Sequence, residues 1–190
     1  IRAFQRYAAD IRIILVLPAD DLPLWEAIRK KFSFHDKIIL QTGGDSRFES
    51  VRRGLEMIQG KGLVAIHDGV RPLVSEDIIG ASFRLAAVHG SAVAAVRLKE
   101  SIRITDQDTT RAIDRSKFRL IQTPQTFDLD LIRAAYQTKE DPSLTDDASV
   151  AERSGHLISL FEGSYENIKI TTPEDLVVAS ALLKSRGISV

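Results

Sequence analysis

The 190-residue sequence contains no cysteine and a single methionine, Met57. Without cysteine, disulfides, thiolate metal sites and cysteine nucleophiles are excluded. It also lacks any imbalance of charge: 26 Lys and Arg stand against 26 Asp and Glu. A net charge of zero removes the long-range attraction that a nucleic-acid or anionic-membrane binder uses, leaving room only for a local basic pocket. Long hydrophobic runs are missing too. The longest, near Ile13 to Ala19, falls far short of the ~20 residues that a membrane-spanning helix needs. No signal peptide is visible, so a cytoplasmic location is expected. His35, His67, His89 and His156 show neither metal-ligand spacing nor a Ser-His-Asp arrangement, and hydrolysis through a serine nucleophile is unsupported. What is present is a globular composition, 44% hydrophobic and 27% charged, at a length suited to one domain of ordinary size, here residues 1–190.

The hydrophobic pattern alternates in kind. Helical spacing over Ile1 to Ala9 leads into the β-branched run Ile11 to Pro18, a helix at Leu22 to Phe32 and a strand at Lys37 to Gln41. Helices at Arg47 to Gln59 and Ser75 to Val88 frame a strand at Gly62 to His67, and Ala92 to Leu98 is again strand-like. Short apolar runs between amphipathic helices predict an α/β fold: a Rossmann-like three-layer α/β/α sandwich with a mostly parallel sheet. After Leu98 the rhythm changes. Ser101 to Thr105 and Thr110 to Ile113 flank the turn DQDTT and read as a hairpin, so a β-arm is expected to project over about 98–122. A strand at Phe118 to Gln122, helices at Leu129 to Gln137 and Asp146 to Ser154, a strand pair at Leu157 to Phe161 and Asn167 to Ile170, and a final helix opening at Thr172-Pro173 complete the chain.

Ligands in open α/β sheets sit beyond the carboxyl ends of the strands, so the loops there are read together. Thr42-Gly43-Gly44-Asp45-Ser46-Arg47 ends on a helix; its glycines allow close backbone approach, and the helix start offers free amides to an anion. The plainer alternative is a tight turn with Asp45 or Ser46 as cap, and Ser50 as a neutral serine. In His67-Asp68-Gly69-Val70-Arg71-Pro72, an aspartate at a strand exit suits a hard cation and an arginine suits a phosphate, although a turn with a solvated Arg71 explains them equally. His67 reads as a packing residue. Asp114-Arg115 reads as a surface ion pair, Gln122-Thr123-Pro124-Gln125 as a proline turn, and Thr145-Asp146-Asp147 as a helix cap with acids in the first turn. Lys169, inside the apolar run Ile168 to Ile170, either snorkels at a sheet edge or points into a polar cleft.

In order along the chain, GGDSRFESV, HDGVRP, LKESIR, DRSKFRLIQTPQTF, LTDDAS and EGSYENIKITTPEDL resemble the 2-C-methyl-D-erythritol 4-phosphate cytidylyltransferase family over essentially the whole sequence. The resemblance implies transfer of CMP from CTP to 2-C-methyl-D-erythritol 4-phosphate with release of pyrophosphate and a requirement for Mg2+, in the non-mevalonate route to isoprenoid precursors. It further implies that Gly44 and Asp45 lie at the cytosine base, that Ser50 and Gly69 contact the nucleotide, and that Asp68 faces Mg2+. Arg71, Thr123, Thr145 and Lys169 would surround the acceptor, with Lys169 positioning its phosphate. Arg115 matches the family's second positioning residue. Family members dimerise through the arm, so Arg115 and Ser101 are expected to serve the neighbouring subunit of a homodimer. Ser101 stands where other members often carry threonine, and the hydroxyl is retained.

One departure concerns the front. The chain opens with a helix feeding a strand, whereas a doubly wound sheet begins with a strand and a phosphate-binding turn. A preceding unit of roughly 30 residues is therefore expected, corresponding to the family's Gly-rich loop with its arginine and following lysine. Two other readings stay open. One is a cytidylyltransferase for ribitol 5-phosphate, disfavoured because Arg115 lies eight residues before Thr123, as the methylerythritol family places it. The other is a non-catalytic nucleotide binder.

Overall fold

A computed structural model describes residues 1–32, 34 and 38–188. Eight strands and seven α-helices follow in order α1 (Arg2–Tyr7), β1 (Ile13–Leu17), α2 (Leu22–Lys31), β2 (Ile38–Thr42), α3 (Arg47–Glu56), β3 (Leu63–Ile66), α4 (Glu76–His89), β4 (Ser91–Arg97), β5 (Ile102–Asp106), β6 (Thr109–Ile113), β7 (Arg119–Asp128), α5 (Leu129–Ala135), α6 (Asp147–Arg153), β8 (Leu160–Glu162) and α7 (Pro173–Ser185) among those residues. The expected start of β2 at Lys37, and His35, lie outside the described residues.

β1 and β2 form a parallel pair. A second sheet has the order β3-β7-β4-β8, with β7 antiparallel to both neighbours and β8 parallel to β4. Alternation on β4 shows why this is a sandwich. Val93 packs with Phe48 and Leu55 of α3, Ile132 of α5 and Val150 of α6, whereas Ala94 packs on the other face with Ile78 and Ile79 of α4, supported by Phe4 and Tyr7 of α1. Both faces are covered, and the run from Ser91 to Val96 is buried throughout, as a central strand requires.

Local chemistry sets the helix starts. Ser46 Oγ accepts from the Glu49 amide at 3.0 Å and Ser75 Oγ from the Ile78 amide at 3.3 Å. Asp175 at the start of α7 reaches back to accept from the Thr172 amide at 2.9 Å. α4 ends at Gly90, whose φ of 79° is the left-handed conformation that favours glycine.

Two expectations are corrected. Thr123-Pro124-Gln125 is no turn: β7 runs through it for ten residues, with a cis peptide at Thr123-Pro124. Pro124 fits because the ladder to β4 is irregular between Val93 and Ala95, where a missing N–H is tolerated. Asn167 to Ile170 is no strand either. That segment is irregular, held by the Ile170 amide donating to Val70 O at 2.8 Å rather than by a ladder. The β-arm is present: β5 and β6 pair only with each other and turn tightly at Gln107-Asp108. No helix among the described residues is long and apolar enough to cross a membrane.

Candidate active site

Asp68 follows β3, and three cations converge on its carboxylate, Arg71 from its own loop and Arg47 and Lys169 from other parts of the chain. Lys169 Nζ and Arg71 Nε lie 3.4 Å from Oδ2, and Arg47 Nε lies 3.8 Å from Oδ1. Partial burial pushes the Asp68 carboxyl up, but the charges of Lys169, Arg47 and Arg71 outweigh it and hold the group below the usual carboxylate range. Oδ1 accepts no hydrogen bond among the described residues.

Each neighbour is itself held. The Asp68 amide donates to Thr123 Oγ1 at 3.0 Å, and the same hydroxyl meets His67 Nδ1 at 3.1 Å. His67 Nε2 lies 3.0 Å from Arg71 O, and its ring packs edge-on against Phe4. Burial lowers the His67 pKa, so its neutral form is the one that serves as this bonded packing residue. Arg71, nearly enclosed, donates to Asn167 O at 2.8 Å. Asn167, fully buried, donates its Nδ2 to Thr123 O at 2.8 Å. These bonds pin the irregular segment two residues before Lys169 and explain how a lysine off any strand still reaches Asp68. Lys169 keeps about half its side chain exposed, as an anion-facing lysine should.

The loop after β2 is built around its glycines. The Gly43 amide donates to Leu17 O at 2.8 Å, and the Gly44 amide donates to Ser50 Oγ at 3.0 Å. Glu49 folds back beneath the loop: Oε2 accepts from the Asp45 amide and Oε1 from Arg53 at 2.6 Å. A Cβ on Gly44 would lie 2.4 Å from the Glu49 side chain, so any larger residue there would have to push Glu49 aside. Ser46, not Asp45, is the cap. Ser50 is no neutral surface serine, since its hydroxyl holds the Gly44 backbone. A Cβ at Gly69, by contrast, would meet nothing within 4 Å, so the space beside Asp68 is open.

Arg47 joins the two loops. Its Nη atoms donate to both oxygens of Asp147 at 3.1 and 2.6 Å while Nε faces Asp68. Asp147 is fully buried and also accepts from the Tyr136 hydroxyl at 2.6 Å. Asp147 is the first-turn acid that the sequence indicates, and its burial against Arg47 is what the structure adds. The cap of α6 is Asp146, whose Oδ1 accepts from the Ser149 amide at 2.9 Å. Gln125 of β7 clamps the same turn, donating to Asp146 Oδ2 and accepting from the Ala148 amide, both at 2.8 Å. Thr145 stands exposed just before it.

Thus Asp68, Arg71, Thr123 and Lys169 form one bonded cluster, with Gly69 beside it and Gly44, Asp45, Ser50 and Thr145 tied to it through the elements that carry Arg47 and Asp147. Arg115 and Ser101 are not brought there. Arg115 donates to Lys99 O within the arm, Ser101 is exposed, and among the described residues neither bonds to the Asp68 cluster. Sequence reasoning missed Arg47, Asp147, Tyr136, Asn167 and Gln125. The available signal was Arg47 closing the Gly-Gly loop. Nothing in the spacing announced its partner 100 residues away. Three cations against the two carboxylates Asp68 and Asp147 leave a local excess of one positive charge, hidden in a chain that is neutral overall.

The family model for 2-C-methyl-D-erythritol 4-phosphate cytidylyltransferase matches residues 1–185. A protein of that name from Bacteroides fragilis is 43% identical over 183 residues, covering 96% of this chain and 84% of the relative. Among solved structures, the 4-diphosphocytidyl-2C-methyl-D-erythritol synthase of Anaerococcus prevotii superposes with a TM-score of 0.85 at 31% identity, covering 96% of this chain and 83% of that one. The cytidylyltransferase of Thermus thermophilus gives 0.79 at 30%, covering 96% and 85%. With the family model matched over residues 1–185, a relative 43% identical across most of both chains, and the same fold in solved structures, the chain belongs to the 2-C-methyl-D-erythritol 4-phosphate cytidylyltransferase family.

Proposed function

We propose that the protein transfers CMP from CTP to 2-C-methyl-D-erythritol 4-phosphate, forming 4-diphosphocytidyl-2-C-methyl-D-erythritol and pyrophosphate in isoprenoid precursor biosynthesis. The observation that carries this reading is the convergence of Lys169, Arg71 and Arg47 on Asp68, beside a backbone opened by Gly69. An acceptor phosphate oxygen attacks the α-phosphorus of CTP; a P–O bond forms there, the bond to the β-phosphate breaks, and pyrophosphate leaves with its electron pair. The nucleophile belongs to the substrate, so the protein's tasks are positioning and charge stabilisation. Lys169 holds the acceptor phosphate, with Arg71, Thr123 and Thr145 around the acceptor. The loop of Gly44 and Asp45 reads the cytosine, braced by Ser50.

No group of three or more metal-ligating side chains comes together among the described residues. The chain's donor for a hard cation is the Asp68 carboxylate, ionised and with Oδ1 free of hydrogen bonds. One carboxylate plus nucleotide phosphates is a usual setting for Mg2+, so Asp68 is the residue to hold it; the ion's charge, when bound, offsets that of the phosphates. Arg115 and Ser101 are assigned to the partner's site in a homodimer formed through the arm. Their separation from the Asp68 cluster and the exposed apolar residues Ile104, Phe118, Leu120 and Ile121 on the arm support this.

The test is pyrophosphate release from CTP by the full-length protein with either acceptor. Methylerythritol phosphate should be strongly preferred. Preference for ribitol 5-phosphate would replace the substrate, and CTP binding without pyrophosphate release would replace the enzyme reading with a nucleotide binder.

A further inference from the structure

Among the described residues, Asp147 is the single charged side chain in the buried class, with 0% exposure. A helix-start carboxylate interacts with the helix amides well enough at the surface, and burying one is unfavourable unless it is fully paired. The pairing here is complete on one side and directed on the other. Both Asp147 oxygens take an Arg47 Nη donor, Tyr136 donates to Oδ1, and the Tyr136 ring packs on Phe48, the residue after Arg47. Burial disfavours the charge on Arg47, yet its bonds to Asp147 outweigh this and keep the guanidinium firmly charged. One edge of a planar fork is thereby fixed, and its orientation with it.

The other edge is left over. The Arg47 side chain is 39% exposed, and Nε stands 3.8 Å from Asp68 Oδ1, too far for a hydrogen bond. The guanidinium has donors beyond those used on Asp147. It shares with Lys169 both proximity to Asp68 and an open side. We infer that Arg47 faces a substrate phosphate and that Asp147, backed by Tyr136, is the positioning residue that holds it there. The inference rests on the cytidylyltransferase reading for the identity of that phosphate.

A double-mutant cycle on the full-length protein tests it. Asp147→Asn and Arg47→Gln should each lower kcat by about 100-fold with CTP affinity little changed, and the double variant should lose no more than the worse single variant. A melting temperature that falls while kcat per folded molecule stays at the parent value would overturn the inference, as would losses that multiply in the double variant. Should Asp147→Asn not fold, Asp147→Glu keeps the charge but displaces the fork. Reduced kcat with intact CTP binding then supports the inference, and unchanged kcat overturns it. Should the parent protein release no pyrophosphate with either acceptor, the functional reading fails by itself. The cycle is then followed by calorimetry with inorganic phosphate: matching losses of affinity in both single variants support the Arg47–Asp147 assignment, and unchanged affinity overturns it.

Discussion

The Asp68 cluster and the β-arm carry residues expected to meet the same substrate, yet they are constructed in opposite ways. Around Asp68, nearly every polar group is fixed by a partner far away in sequence: Arg47 by Asp147, Arg71 by Asn167, the Asp68 amide by Thr123. On the hairpin of the arm, contacts are local, while its base is tied to the body through Lys99 on the Tyr165 ring and Gln122 on Ser164. Arg103 bonds to Thr110 across the hairpin, Arg119 to Ser116 and Phe118, and Arg115 to Lys99. The cluster is organised by the folded chain itself, whereas the arm displays its side chains without an internal surface to order them. In the homodimer proposed above, damage to the cluster should therefore appear within one subunit, and damage to the arm should appear in the neighbouring subunit's site.

The largest effect is expected from Lys169→Ala. Removing this half-exposed cation should lower turnover by about 100-fold while leaving CTP affinity nearly intact, measured by steady-state kinetics and calorimetry. Equal loss of CTP binding would move Lys169 from the acceptor to the nucleotide. Gly44→Ala comes next. Its Cβ would crowd Glu49, and because that side chain can shift, the cost in urea unfolding should be about 1 kcal/mol, the low end for overpacking. Adding Glu49→Ala should recover part of that loss; no recovery would show that the strain lies elsewhere.

A smaller effect should follow pH. The folded-state pKa of His67 is lowered by burial, so the neutral ring stabilises the fold above the unfolded value of about 6.5. This contribution is lost as pH falls below that value through the lowered one. Melting temperature should drop over that window in the parent and less in His67→Gln. An equal drop in both would assign the pH response to other groups.

The smallest effect on folding is expected from Arg115→Ala, within about 0.5 kcal/mol, because its bonding is confined to the exposed arm. Alone it should be poorly active. Mixed with Lys169→Ala it should regain activity in one of the two sites of a mixed dimer. Failure to regain it would place Arg115 in its own subunit's site.

What the sequence made legible follows the same division. Strands β1 to β4 and helices α2 to α4 could be read because apolar periodicity is a local property. The arm could be read because two alternating runs flank a polar turn. The Thr123-Pro124-Gln125 stretch reads as a turn because proline is a local turn signal, and only the irregular β4–β7 ladder makes room for it inside a strand. Lys169 was named through the family resemblance, but its strand was not there; Asn167 and the Ile170 amide position it through bonds that no spacing reveals. Asp147 was hidden for a related reason: an acid in the first turn of a helix looks alike whether it faces water or a buried arginine.

The two-handed grip of Gln125 on the start of α6 has a consequence for how the molecule tolerates change. Because Asp146 and the Ala148 amide are both fastened to β7, the sheet anchors the turn that carries Asp147. The stretch leading to it from α5 is moored at both ends, by the Tyr136 hydroxyl on Asp147 and by Arg153 on Asp141 and Ser143. Between these moorings lie the exposed Lys139 and Glu140, where residues can be gained or lost while the arginine fork stays where it was.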